Sequence, residues 1–315
     1  VRKRRQELVV LEAPCGDGVV SFSLLTQLNG GFGMAADTTP LNQVRLLYPL
    51  HRGPFATIFV ARDDDKGRLI AIKRFQPVPA VLRPDAGERF LKQDLANSKE
   101  RFLFELKTVE NLSHPNLVRS FSSEVEGDAP FFAMPLHPAT LWNELWVATP
   151  VRPRPRKIPA QRTLRVLSEC LGGLAHLHDR EIIHRDIHPT NFLLGQGGAL
   201  RLADYSMAIG PDGEAFTPHA SLGSARPFMS PELFAGRFEL VDKRTDVFSM
   251  GVLAYRMVTG KLPENEFGKE VTPPNKIDLE LDKRLSDWIM AALERQPQDR
   301  PQDARELLDS LPKNS

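Results

Sequence analysis

Three oxygen-bearing side chains stand close together in this sequence of 315 residues: Asp186, then Asn191 five residues on, then Asp204 thirteen beyond that. A positioned carboxylate can accept or orient the proton of an attacking hydroxyl. A second carboxylate paired with an amide oxygen is a hard donor set of the kind that Mg2+ takes while keeping several waters. Aspartate and asparagine between strands also serve simply as turn formers, so their setting decides. Apolar runs that read as strands, Glu181-Ile182-Ile183 and Phe192-Leu193-Leu194, flank the first acid and the amide, and a third, Ala199-Leu200-Arg201-Leu202-Ala203, delivers Asp204 at its end. Short strands of this kind would hold all three groups in one place.

The run His184-Arg185-Asp186-Ile187-His188-Pro189-Thr190-Asn191, followed by Asp204-Tyr205-Ser206, resembles the catalytic loop and metal motif of the protein kinases. That resemblance implies transfer of the ATP γ-phosphate to a protein hydroxyl, with Asp186 as base and Asn191 and Asp204 on Mg2+, or Mn2+ in its place. It extends along the chain. Leu69-Ile70-Ala71-Ile72-Lys73 alternates like a strand and is similar to the kinase V-A-I-K, so Lys73 would hold the α- and β-phosphates. Its partner should be Glu105, on a helix whose Leu106, Val109 and Leu112 fall at inward-facing spacing. Ser230-Pro231-Glu232, Asp246-Val247-Phe248-Ser249-Met250-Gly251 and Gln298-Asp299-Arg300-Pro301 resemble the close of the activation segment, the start of the central helix and the late arginine motif. Glu232 and Arg300 are then expected to form a buried, structural ion pair. By the same resemblance Met134 borders the adenine site, Pro135 offers its carbonyl and His137 its N–H. Ile58, Ala71 and Leu193 would sandwich the ring.

Several positions depart from the pattern. Of the glycine-rich loop, His51-Arg52-Gly53-Pro54-Phe55-Ala56-Thr57-Ile58 keeps only the middle glycine, Gly53. Ala56 is small, His51 adds bulk and Pro54 removes a backbone donor, so weakened nucleotide affinity is expected. His188 stands where serine/threonine kinases carry lysine, and we read it as a weaker, pH-dependent stand-in that acts with the catalytic group. Tyr205 replaces phenylalanine and needs a partner for its hydroxyl, while Ser206 replaces glycine. Counting back from Glu232, the threonine of that class falls on Ala225, with Ser224 matching only across a one-residue insertion. Arg185 suggests control by an anionic group at Thr217, Ser221 or Ser224. A pseudokinase that binds nucleotide, or a small-molecule phosphotransferase of related fold, are the competing readings.

The elements that must position these groups define an α+β fold: a bilobal protein-kinase fold with a small β-rich lobe carrying one regulatory helix, and a larger, mainly helical lobe. We divide the chain into an extension, 1–45, expected to form strands packed on the small lobe with a turn at Cys15-Gly16-Asp17-Gly18, then a small lobe, 46–136, and a large lobe, 137–312. Between Lys73 and Glu105 the chain is longer than the pattern needs, with Pro77, Pro79 and Pro84 ahead of a charged stretch that is expected to prolong the regulatory helix toward its N-terminus. The run from Pro150 to Pro159, rich in proline and arginine, cannot be a regular helix. It reads as a mobile connector, with a basic docking strip for an acidic partner as the alternative.

With 41% hydrophobic and 26% charged residues the chain reads as globular, and a net charge of +1 argues against a nucleic-acid binder driven by bulk electrostatics. Cys15 and Cys170 are the only cysteines and have no ligand spacing, which excludes a disulfide framework or zinc site as the organising principle and suggests a reducing, cytoplasmic setting. Arg2-Lys3-Arg4-Arg5 reads as a solvated terminus. No apolar run is long enough to span a membrane. Opening on Val1, the chain is expected to be part of something longer.

Overall fold

A computed structural model describes residues 44–313, apart from 54, 77–87, 126, 128, 150–152, 212–225 and 265–269. The expected strands and turn within residues 1–43 therefore lie outside the described residues, as do Thr217, Ser221, Ser224 and Ala225.

A five-stranded sheet comes first. Strands β1 (Val44–Arg52), β2 (Ala56–Asp63) and β3 (Arg68–Phe75) are followed by helix α1 (Glu88–Asn111), then β4 (Ser122–Glu124) and β5 (Phe131–Pro135). The strands lie in the order β1-β2-β3-β5-β4, every neighbouring pair antiparallel. Helix α1 extends well N-terminal of Glu105, as the charged insert led us to expect. Its aromatic anchor is Phe102, whose ring centroid lies 5.7 Å from that of Phe75 and 5.8 Å from that of Phe132. Leu106, Val109 and Leu112 are buried beside it. Burial of large apolar side chains contributes about 1.5–3 kcal/mol each, enough to fix the helix rotation that turns Glu105 inward.

Beyond β5 come β6 (Ala139–Thr140), the single turn α2 (Trp142–Leu145), the short strands β7 (Trp146–Val147) and β8 (Arg154–Pro155), and helix α3 (Ala160–His178). Strands β9 (Phe192–Leu194) and β10 (Leu200–Leu202) follow and form a three-stranded sheet with β6. The α-helices that follow among the described residues are α4 (Pro231–Phe234), α5 (Lys243–Thr259), α6 (Pro274–Ile277), α7 (Lys283–Ala292) and α8 (Ala304–Asp309). The two-lobed α+β arrangement is thus the one expected from the sequence.

Helix α5 is buried along nearly its whole length. The Asp242 side chain accepts the Arg244 amide at its start, and Gly260 ends it in the left-handed conformation at φ 73°. Gly251 is needed for close packing, because a Cβ there would come within 2.9 Å of the Ala292 Cβ on α7.

Two expectations require correction. Glu181–Ile183 is not a strand: only Ile183 pairs, with Ile209, and Glu181 turns the chain with φ 56°. Its apolar side chains are drawn against the large lobe from a turn, which an apolar run alone does not distinguish from a strand. The proline-rich run, where described, is not a mobile connector. Arg154 and Pro155 pair with Val147 and Trp146, the Arg156 amide donates to Leu145 O at 2.8 Å and the Ile158 amide to Met257 O at 2.7 Å. The cause is Arg256 of α5, buried without a carboxylate partner among the described residues. Its guanidinium donates to Leu145 O at 2.8 Å and Arg156 O at 3.2 Å and lies 4.2 Å from the Trp146 ring centroid. Trp142 stacks on the other side of Trp146 at 3.5 Å. Among the described residues no helix is long and apolar enough to cross a membrane.

Candidate active site

Strand β3 holds Lys73 within its ladder, paired with Ile58 and Phe132, and α1 brings Glu105 to meet it. Lys73 Nζ donates to Glu105 Oε1 at 2.7 Å, to Oε2 at 2.8 Å and to Asp204 Oδ1 at 3.0 Å. Groups 32 and 131 residues away in sequence thus converge on one ammonium. Burial alone would discharge Lys73, but the Asp204 and Glu105 carboxylates outweigh it and hold the ammonium well above its ordinary range. Burial also pushes the Glu105 carboxyl up to about 7, against the pull of Lys73. For Asp204 the balance falls the other way: desolvation opposes ionisation, and Lys73 with the Ser206 side chain holds the group far below the usual carboxylate range. The Asp204 side chain keeps 39% of its surface exposed.

The loop between α3 and β9 supplies the facing half. Asn191 Nδ2 donates to Asp186 O at 2.9 Å and to Asp186 Oδ2 at 3.0 Å. This fixes the amide plane, so its oxygen is oriented away from Asp186. His188 Nε2 lies 3.4 Å from the same Asp186 Oδ2, and its Nδ1 lies 2.7 Å from Thr190 Oγ1. Burial pulls the His188 pKa down, and Asp186 more than restores it, leaving it above that of a free imidazole. His188 therefore lies beside the Asp186 carboxylate. Thr190 had no signal in the sequence beyond being a loop threonine.

What holds this loop is Asp246 at the start of α5. Its carboxylate accepts the His184 amide at 2.7 Å, the Arg185 amide at 2.8 Å and His178 Nε2 at 2.9 Å. Desolvation raises the Asp246 carboxyl, but the hydrogen bonds from the His178 ring and the His184 amide outweigh this and keep it below its ordinary value. Burial keeps His184 neutral despite the nearby carboxylates. Its ring then accepts the Asp186 amide at Nδ1 (3.3 Å) and donates from Nε2 to Ala203 O (3.1 Å), tying the acid to the strand that ends at Asp204. Arg185 and Asp204 both adopt the left-handed backbone region, with φ 63° and 64°. A residue with a side chain held there costs about 1–3 kcal/mol, which these hydrogen bonds offset. Arg185 Nε donates to Met207 O at 2.6 Å. The Tyr205 hydroxyl donates to Leu202 O at 3.0 Å, the partner its replacement of phenylalanine demanded.

The apolar walls come from both lobes. Ala71 and Met134 are directly paired across β3 and β5 and buried, Ile58 and Leu193 are half-buried, and Pro135 is exposed. The His137 ring packs toward Gly195 rather than remaining in solvent, and burial, aided by Arg201, lowers its pKa to about 4. Only its backbone is therefore a candidate for ligand contact. Gly53 forms a tight turn, its amide donating to Ala56 O at 2.9 Å. On the far side, Arg300 grips Glu232 through two bonds of 2.8 and 2.9 Å, both side chains fully buried.

An amide oxygen and a carboxylate fit a magnesium ion, which needs few protein ligands. No cluster of three or more His, Cys, Asp or Glu suited to a metal occurs among the described residues.

Comparison with known proteins places these observations. The protein kinase domain matches residues 46–314. The chain is 29% identical over 301 residues to serine/threonine-protein kinase pkn2 of Myxococcus xanthus, covering 88% of this chain and 33% of that protein. It is 26% identical over 285 residues to "Probable serine/threonine-protein kinase CPE1738" of Clostridium perfringens, covering 86% and 38%. With serine/threonine-protein kinase PrkC of Bacillus subtilis it shares 26% identity over 223 residues, covering 70% and 31%. The match thus spans about a third of the length of these relatives.

Proposed function

This chain belongs to the protein kinase family, its match to the protein kinase domain running from residue 46 to 314, and on that premise we propose that it is an ATP-dependent serine/threonine kinase acting on protein hydroxyls. The carrying observation is the contact of Lys73 with both Glu105 and Asp204. A lysine so held presents its charge where the α- and β-phosphates would lie, with Glu105 as its positioning residue. In the reaction the substrate hydroxyl oxygen bonds to the γ-phosphorus, the bond from that phosphorus to the β,γ-bridging oxygen breaks, and ADP leaves with the electron pair. Asp186 orients the hydroxyl and takes its proton. Asn191, which keeps the Asp186 carboxylate in place, and Asp204 would hold Mg2+, with Mn2+ as an alternative. Bound there, the ion neutralises charge on the phosphate oxygens. His188 would stand in for the family's lysine near the transferring group. Ile58, Ala71, Met134 and Leu193 would enclose adenine, with the Pro135 carbonyl and His137 N–H reading its edge.

The intact ion pair supports catalysis over a pseudokinase role, and the Glu232–Arg300 pair supports a protein substrate over a small-molecule one. The division into lobes at 136/137, an extension of 1–45 packed on the small lobe, an acidic partner for the basic residues of 150–159 and a cytoplasmic setting belong to the same proposal. The test is transfer of radiolabel from ATP to a generic protein substrate in Mg2+ or Mn2+. Incorporation should disappear in both Asp186→Ala and Asp204→Ala. Nucleotide-dependent thermal stabilisation of the wild type without incorporation would overturn it.

A further inference from the structure

The turn at Gly53–Ala56 has two fewer free backbone donors than an unsubstituted glycine-rich turn would offer, and the sheet register shows what lies beside it. The Gly53 amide is engaged by Ala56 O at 2.9 Å, and Pro54 has no N–H. In the same sheet His51 pairs with Ile58, and Ile58 pairs with Lys73. Directly paired residues of antiparallel strands project from the same face. His51, Ile58 and Lys73 therefore lie in one row across the sheet, with the lysine that holds Glu105 and Asp204 two strands from His51. Arg52, the adjacent cation, pairs with Thr57 and belongs to the opposite face. A Cβ built on Gly53 would lie 3.9 Å from His51 Nε2, so the ring lies against the turn. Asp204 and Lys73 are both close enough to act on the imidazole electrostatically, although the residue as a whole is exposed.

We propose that His51 contacts the phosphates of the bound nucleotide, its ring N–H donating to a β- or γ-phosphate oxygen and adding a side-chain donor to those left on the turn's backbone. The proposal rests on the nucleotide-binding reading above. It does not depend on protonation, since a neutral imidazole still carries one N–H. The bulk that the sequence suggested would impair the loop is thereby a ligand contact.

Calorimetric titration of the full chain with the β,γ-imido analogue of ATP and with adenosine, each in Mg2+, tests this. His51→Ala and His51→Gly should each weaken binding of the imido analogue about tenfold, the scale of one hydrogen bond to a charged acceptor. Adenosine, which has no phosphate, should bind all variants as it binds the wild type. His51→Gln, which keeps a side-chain N–H, should retain most of the affinity. Unchanged or tighter binding of the analogue by His51→Gly, or equal losses for both ligands, would overturn the proposal. A wild type that binds neither ligand would overturn the nucleotide reading itself, and an unchanged melting temperature in the variants shows that the fold is intact.

Discussion

His188 is held between Asp186 Oδ2 and Thr190 Oγ1, a position that makes its charge a function of pH. Burial disfavours the imidazolium, Asp186 outweighs burial, and the net pKa lies above that of the free ring. The cation is therefore present at lower pH and is lost as pH rises through the raised value. Turnover at saturating ATP should decline on the alkaline side in the wild type and stay level in His188→Lys, whose ordinary pKa is about 10.4. Identical alkaline limbs in the two proteins would remove His188 from the transition state. At this scale the acid, the amide and the second acid were legible because their spacing in sequence is short and framed by apolar runs. Thr190 was not, since nothing about a loop threonine indicates which side chain it will meet. His51 was legible only as a misfit, because its direction is set by pairing with β2.

Among the elements, α1 and β3 were readable from periodicity, and their meeting at Lys73 follows from the Phe75, Phe102 and Phe132 cluster. The hairpin of β7 and β8 was not readable. Its prolines forbid a helix, but what fixes it is Arg256, whose bonds reach back 100 and 111 residues. Burial lowers the Arg256 pKa to about 10, which still leaves it charged at neutrality. Arg256→Met would keep much of the packing on Trp146, remove the donor to Arg156 O, and leave Leu145 O with only the Arg156 amide. We expect a loss of about 1–3 kcal/mol, the scale of one buried group left without its partner. Urea unfolding measures this loss, and limited proteolysis should show faster cleavage near Arg154 and Arg156. Unaltered cleavage would mean that the hairpin stands without the arginine.

For the molecule as a whole, the Glu232–Arg300 pair links the end of the activation segment to the last part of the large lobe. Removing one partner of a buried pair costs about 3–5 kcal/mol, so Glu232→Ala should lower the urea-unfolding free energy by that amount. Burial raises the Glu232 carboxyl, and Arg300 outweighs it, leaving the folded pKa below its ordinary value. Its contribution is thus complete above the ordinary carboxylate range and is lost as pH falls through the folded value. The stability difference between wild type and Glu232→Ala should narrow on acidification, and a constant difference would contradict the linkage. This pair was legible from sequence because both motifs are strong, whereas the hold of Asp246 on the catalytic loop was not, because it acts through main-chain amides that any residue possesses.

That hold has a consequence in time. With the protons of two loop amides claimed by a carboxylate of the deepest helix, solvent can reach them only when the large lobe itself comes apart. The segment bearing Asp186 is irregular in shape yet tethered to the slowest-opening part of the protein. It follows that any on–off regulation of this molecule must work by moving what surrounds that segment, not by loosening it.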